Sequence, residues 1–172
     1  MPHVAFSGSQ LAETGTTQTH RLGTLAIREN LTDDRGEELW IYVFNDEAAT
    51  AFAAGNVIAR DAATATADGI LAAVDTPANR LLGVAQHAIA AGSYGWIIRH
   101  GIGLVLADAN TIDVNEGVYV SDTTAGTGME QGIAVTASNT TVTEAHLAGP
   151  FAWATADVAS TATGVCMIDC RG

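Results

Sequence analysis

Residues 88–103, "AIAAGSYGWIIRHGIG", pack four glycines, a tyrosine, a tryptophan, an arginine and a histidine into sixteen positions. The stretch is either a ligand loop carrying chemistry or a connection within a structural β protein, and the fold follows from the choice. A dinucleotide fingerprint needs G-x-G-x-x-G after a strand and opening a helix. Gly101 and Gly103 give only G-x-G, and the strand-like "LVLADAN" follows. A phosphate-cradling P-loop needs a lysine, and the chain has none. Ser93 in "GSYG" lacks the G-x-S-x-G elbow of hydrolases. His87 and His100 do not have metal-ligand spacing, and on a strand His100 and Arg99 point to opposite faces. They read as polar residues at solvent or a subunit contact. The stretch is therefore structural: Gly92 and Gly95 allow a tight bend, and Tyr94 and Trp96 share a face as aromatic anchors of a core or an interface.

Upstream, "LWIYVFN" (39–45) is the strongest strand signal. Alternation sends Leu39, Ile41 and Val43 to one side and Trp40, Tyr42 and Phe44 to the other. Both faces are apolar and both need a cover. The aromatic side must meet a second layer, an arm, or another chain. Before it, "RLGTLAIREN" (21–30) reads as a strand and "LTDDRGEE" as a solvated turn without calcium-loop spacing. After it, "NDEAATAFAAG" (45–55) is the best helix candidate, with Asn45 as cap, acidic residues in the first turn and Gly55 as stop. Short strands follow: "NVIAR", "GILAAV", "RLLGVAQHAI", "YGWIIRH", "GLVLAD", "GVYVSD", "GIAVTA", "TVTEAHL" and "GVCMID". Their number and spacing predict an all-β fold, a compact sandwich or barrel with at most one or two short helices.

Residues 1–20 carry no sustained periodicity. They are expected to form an extended arm, mobile in the isolated protein, beside a single β domain over 21–172. Val4, Phe6 and Leu11 are spaced apolar residues suited to docking on a neighbour, so removing the arm is expected to leave the domain's melting nearly unchanged. A faint internal echo relates 52–69 to 114–131 through a glycine, a short strand, an aspartate and a small-residue loop. It continues in the Gly-Val of "LLGVAQHAI" and "ATGVCMIDC".

The 172 residues are 48% hydrophobic and 15% charged, which excludes a disordered chain. The formal charge is −12, and all seven basic residues are arginine. An acidic surface without a basic stripe argues against nucleic acid and anionic lipid as partners. No apolar run reaches the ~20 residues of a membrane helix, and the first residues do not read as a secretory signal. The expectation is a protein made in a host cytoplasm. Cys166 and Cys170 would lie ~13 Å apart along a strand, too far for a disulfide, and two thiols do not complete a zinc site. They read as buried small residues. Asn139-Thr140-Thr141 matches a glycosylation pattern, relevant only to a secreted eukaryotic chain. No catalytic constellation emerges, and no cofactor or metal is expected.

The run "RLLGVAQHAIAAGSYGWIIRHG", with "AAGNVI" before it and "VNEGVYVSD" after, resembles a family of small phage-encoded β virion proteins. Their recurring core is a Gly-Val-Ala strand, then I-x-x-G-x-y-G-W, then a glycine-ended strand. The resemblance covers roughly residues 40–125 and extends to "TGVCMID". It implies a non-enzymatic capsid decoration (cement) protein located on the virion, at the capsid surface. It further implies the major capsid protein as partner and a homo-oligomer, by analogy a trimer. Interface candidates are Val4, Phe6, Leu11, Trp40, Tyr42, Phe44, Tyr94 and Trp96. Two alternatives stay open: another virion part (tail, fibre base or head–tail component), or a small β hydrolase or carbohydrate-binding module.

Overall fold

A computed structural model describes residues 4–5, 8–30, 36–64, 67–74, 76–130 and 149–170. Eleven strands among these residues form one continuous sheet. They are β1 (Val4–Ala5), β2 (Leu25–Asn30), β3 (Gly36–Asn45), β4 (Val57–Arg60), β5 (Asp68–Leu71), β6 (Leu81–Ala85), β7 (Tyr94–Leu106), β8 (Gly117–Val120), β9 (Gly128–Glu130), β10 (Ala152–Ala154) and β11 (Thr163–Asp169). Among the described residues the helical content is one turn, α1 (Gly8–Leu11), and a 3-10 turn at Ala78–Arg80. None of these helices is long and apolar enough to cross a membrane. The fold is all-β. The segments "GIAVTA" and "TVTEAHL" lie outside the described residues.

The sheet closes on itself twice. Strands β3, β5, β4, β6 and β7 are neighbours in that order, and β7 returns to pair antiparallel with β3. Strands β7, β11, β10, β8 and β9 form a second ring, closed by a parallel bridge from Ala107 to Gly128. The molecule is thus two small barrels sharing β7. Small barrels fill their interiors with side chains, one from every second residue of each strand. In the first barrel these are Ile41, Val43, Ile58, Ala85 and Ile97, plugged by Phe52 and Ile89 from the loops. A larger cluster takes in the outer wall of the first barrel (Trp40, Tyr42, Val84, Trp96, Ile98) and the interior of the second (Val105, Val118, Ala154, Cys166, Ile168).

The two barrels repeat one plan. The Phe52–Ile89 bridge, β4 and β5 recur as the Ile112–Val158 bridge, β8 and β9, a constant 60 residues on at the first positions (52 to 112, 57 to 117). Gly55 N donates to Ala85 O at 2.7 Å, and its counterpart Asn115 N donates to Ala154 O at 2.9 Å. Positive φ recurs at Gly55 and Asn115 and again at Gly92 and Thr161. The internal echo in the sequence is therefore a structural repeat in a different register. Gly55 matches Asn115 rather than Gly117, because asparagine tolerates the left-handed backbone that the turn needs. The Gly-Val of β6 corresponds to β10 and not to β11.

Two expectations are corrected. Asn45 ends β3 and residues 46–55 form a loop, not a helix. Asn45 is fully buried; its amide donates to Thr50 O at 3.0 Å and to Ile89 O at 2.9 Å, and its Oδ1 accepts from Glu47 N. An asparagine that caps a helix and one that folds an Asx turn look alike in sequence; here the loop must deliver Phe52 into the barrel. Next, the strands expected at 94–100 and 103–108 are one strand, and only Gly92 sits in the turn before it. Gly95 lies within β7, where a Cβ would stand 2.7 Å from Ile89 Cδ1. Its role is close packing against the interior plug, not a bend.

The described part of residues 1–20 lies on the first barrel. Leu11 is buried, Gly15 exchanges backbone bonds with Tyr94, and Thr19 N donates to the Tyr42 hydroxyl at 3.2 Å. The His20 ring lies 5.2 Å from Tyr42 and 5.3 Å from Trp96. The second cover demanded by "LWIYVF" is the chain's own N-terminal segment.

Candidate docking surface

The interface candidates read from sequence divide by burial. Leu11, Trp40, Tyr42 and Trp96 are core residues and present no free surface. Tyr42 and Trp96 face each other across β3 and β7 with ring centroids 5.0 Å apart. Trp40 donates its indole N–H to Glu38 at 3.0 Å, and Arg28 lies 3.7 Å from the same carboxylate. That arrangement satisfies a buried acid and a buried indole together. Phe44 and Tyr94 are half-buried and pack on one another, centroids 4.8 Å apart. The backbone of Val4 pairs in parallel with Ala26; its side chain and Phe6 lie outside the described residues.

Other groups singled out in sequence are also accounted for. Cys166 and Cys170 are free and buried, and burial pushes their thiols up to about 11 and about 12 respectively. A thiol held in its neutral form is a poor nucleophile and a poor metal ligand. His87 and His100 extend in opposite directions from the register pair Val84–Ile98, so β6 and β7 do not bring them together. Burial lowers the pKa of His87, and its Nε2 is buried without a hydrogen-bond partner among the described residues. His100 Nδ1 lies 3.5 Å from Asp169.

What the structure does expose is a cross-strand row on the outer wall of the second barrel. Gly117, Trp153, Met167 and Ile102 are successive register partners on β8, β10, β11 and β7. Trp153 is 42% and Met167 37% exposed. Val165 and Leu104, paired two residues along on the same face, are half-buried and extend the strip. The equivalent row of the first barrel is Val57, Val84, Ile98 and Trp40, with exposures of 0%, 0%, 0% and 6%. One barrel's outer row is thus covered by its own chain, while the other's is open and carries a Trp and a Met. A tryptophan and a methionine exposed side by side in one register row form a candidate contact site.

Sequence alone misses this row because the family resemblance does not extend to residues 137–162, where Trp153 lies. The signal was present as Trp153 between Ala152 and Ala154, a large apolar residue alternating with small ones. Such a triplet packs its alanines inward and turns its tryptophan out.

No protein-family model and no curated protein matches the chain. Among solved structures it is similar to the head fiber gp8.5 N base in bacteriophage phi29, with a TM-score of 0.52 and 13% sequence identity. The similarity covers 77% of this chain and 95% of that one. At this identity the likeness is one of fold.

Proposed function

We propose that this protein is a non-enzymatic structural component of a bacteriophage virion, bound to the outside of the head shell as a decoration protein. The observation that carries the reading is the likeness of fold to the base of a phage head fiber. The open apolar row at Trp153 and Met167 supports it, because a decoration protein needs a flat contact surface on a rigid scaffold. The mechanism is repetition. Each copy makes modest contacts with the major capsid protein, and identical contacts over a closed lattice favour the assembled shell by mass action. A homotrimer matches threefold positions on such a lattice.

A second reading is favoured by the same comparison: the chain is the base of a head fiber and carries a projecting element. Copy number separates the two. Gel densitometry of purified virions is expected to show the protein at a stoichiometry comparable to the major capsid protein; a level far below it selects the fiber base. Absence from the particle overturns both.

The docking row has its own test. Trp153→Ser combined with Met167→Thr truncates side chains that are more than half covered, so the chain should stay folded with a modest fall in melting temperature. Binding to shells that lack the protein should fall by about 2 kcal/mol or more, the scale of a buried aromatic anchor. Unchanged binding removes the row from the interface. Light scattering that returns the mass of one chain, both free and released from shells, removes the trimer.

A further inference from the structure

A cleft of about 360 Å³ opens beside the first barrel, lined by Arg60, Arg80, Arg99, Asn79, Thr64 and Asp61 among others. Three of the chain's seven arginines thus converge on one site in a protein of net charge −12. Three adjacent strands bring them together: Arg60 ends β4, Arg80 directly precedes β6, and Arg99 lies within β7. Among the described residues, none of the three lies within 4.0 Å of a carboxylate oxygen, whereas Arg28 is paired with Glu38. Asp61, the acid in the lining, folds its own turn: its Oδ1 accepts from Ala63 N at 2.9 Å.

The internal repeat shows that these charges are not a requirement of the fold. Arg60 corresponds to Val120 and Arg99 to Ile168, at the same places in β8 and β11. Val120 and Ile168 are 1% and 0% exposed and belong to the core. The same barrel plan therefore closes with apolar residues in one copy and opens into an arginine-lined cleft in the other. Arg99 is also held in place. Its Nε donates to Cys170 O at 3.2 Å, while Cys170 N donates to Arg99 O at 2.9 Å. That leaves both terminal nitrogens of a planar fork without a hydrogen-bond partner among the described residues.

We infer that this cleft binds a phosphate group borne by a small hydroxylated ligand. The lining itself carries three guanidiniums and one aspartate, a set that matches a dianionic oxyanion. The planar forks supply paired N–H donors in the geometry that phosphate accepts. Asn79 and Thr64 offer donors and acceptors to hydroxyl groups beside the phosphate. The volume suits a small molecule or one unit of a polymer. The site stands apart from the Trp153 row and does not depend on where the protein sits on a particle.

The experiment is calorimetric titration of the full chain at low ionic strength with glycerol phosphate, a sugar phosphate, inorganic phosphate, glycerol and citrate. The expected result is one site per chain for the two phosphate esters, weaker binding of inorganic phosphate, none of glycerol, and affinity that falls with added salt. Arg60→Ala with Arg80→Ala should weaken the esters by about tenfold or more at an unchanged melting temperature. Arg99→Lys, which keeps charge but loses the fork, should weaken them as well. Absence of saturable ester binding overturns the inference. So does equal affinity for glycerol, tighter binding of citrate, or full affinity in the double variant.

Discussion

Gly83 sits in β6, and a Cβ there would run into the carbonyl oxygen of Ile98 on the neighbouring strand. Backbone cannot give way as a side-chain tip can. Gly83→Ala should therefore cost about 1–3 kcal/mol or more, as overpacking does, read from denaturant midpoints; a neutral result would mean the two strands can separate freely. Thr161 offers the opposite case. It is a β-branched residue at φ 57°, where the first barrel has Gly92 at φ 70°. A left-handed backbone costs a side-chain-bearing residue about 1–2 kcal/mol, partly offset by the greater freedom of glycine when unfolded. Thr161→Gly should raise stability slightly, and a loss would show that the threonine makes a compensating contact. His87 sets a pH dependence. Burial lowers its pKa in the folded chain, so the unfolded chain takes up the proton first as pH falls. The stability is fully present above the unfolded value of about 6.5 and is lost as pH drops through and below it. Melting curves between pH 7.5 and 5 should flatten in His87→Leu relative to the parent; parallel curves would assign the acid sensitivity to other groups.

At the scale of elements, the N-terminal segment and the 46–55 loop make the same point. Both lack regular structure, and both are held by side chains that reach into a barrel or across its wall. Leu11 is 1% exposed, and His20 lies against Tyr42 and Trp96. Deleting residues 2–18 removes the buried Leu11 and the Gly15–Tyr94 exchange, and with them the chain that leads His20 onto that wall. The truncated chain should melt several degrees lower, since about 1 kcal/mol shifts a domain of this size by roughly 2–4 °C. An unchanged melting temperature would make the segment a passenger.

At the scale of the molecule, sharing β7 ties the two barrels into one unit. The first half of the strand pairs with β3 on one edge and β6 on the other, and its second half pairs with β11. A single apolar cluster joins the outer wall of the first barrel to the inside of the second. Neither barrel can lose β7 without opening. Calorimetry should show one transition with equal calorimetric and van't Hoff enthalpies; two separated transitions would mean that the barrels fold independently.

Read alone, the residues determine a β protein with no helix of consequence. Alternation in "LWIYVF" and "GVCMID" and the turn residues between strands are local properties, and local sterics decide them. Burial of the two thiols follows from the same pattern. The echo between 52–69 and 114–131 was legible too, but its register was not, because Gly55 and Asn115 satisfy one backbone conformation with different residues. Tertiary structure alone decided what covers each face. Period two sorts residues into two sides and leaves open whether a side meets a barrel interior, an arm or solvent. Trp40 and Ile102 stand at equivalent places in their rows, and one is buried while the other is half open. The convergence of Arg60, Arg80 and Arg99 is of the same kind. Those residues are far apart in the chain and meet because β4, β6 and β7 are neighbours, a pairing set by closure of the whole sheet and by no single segment.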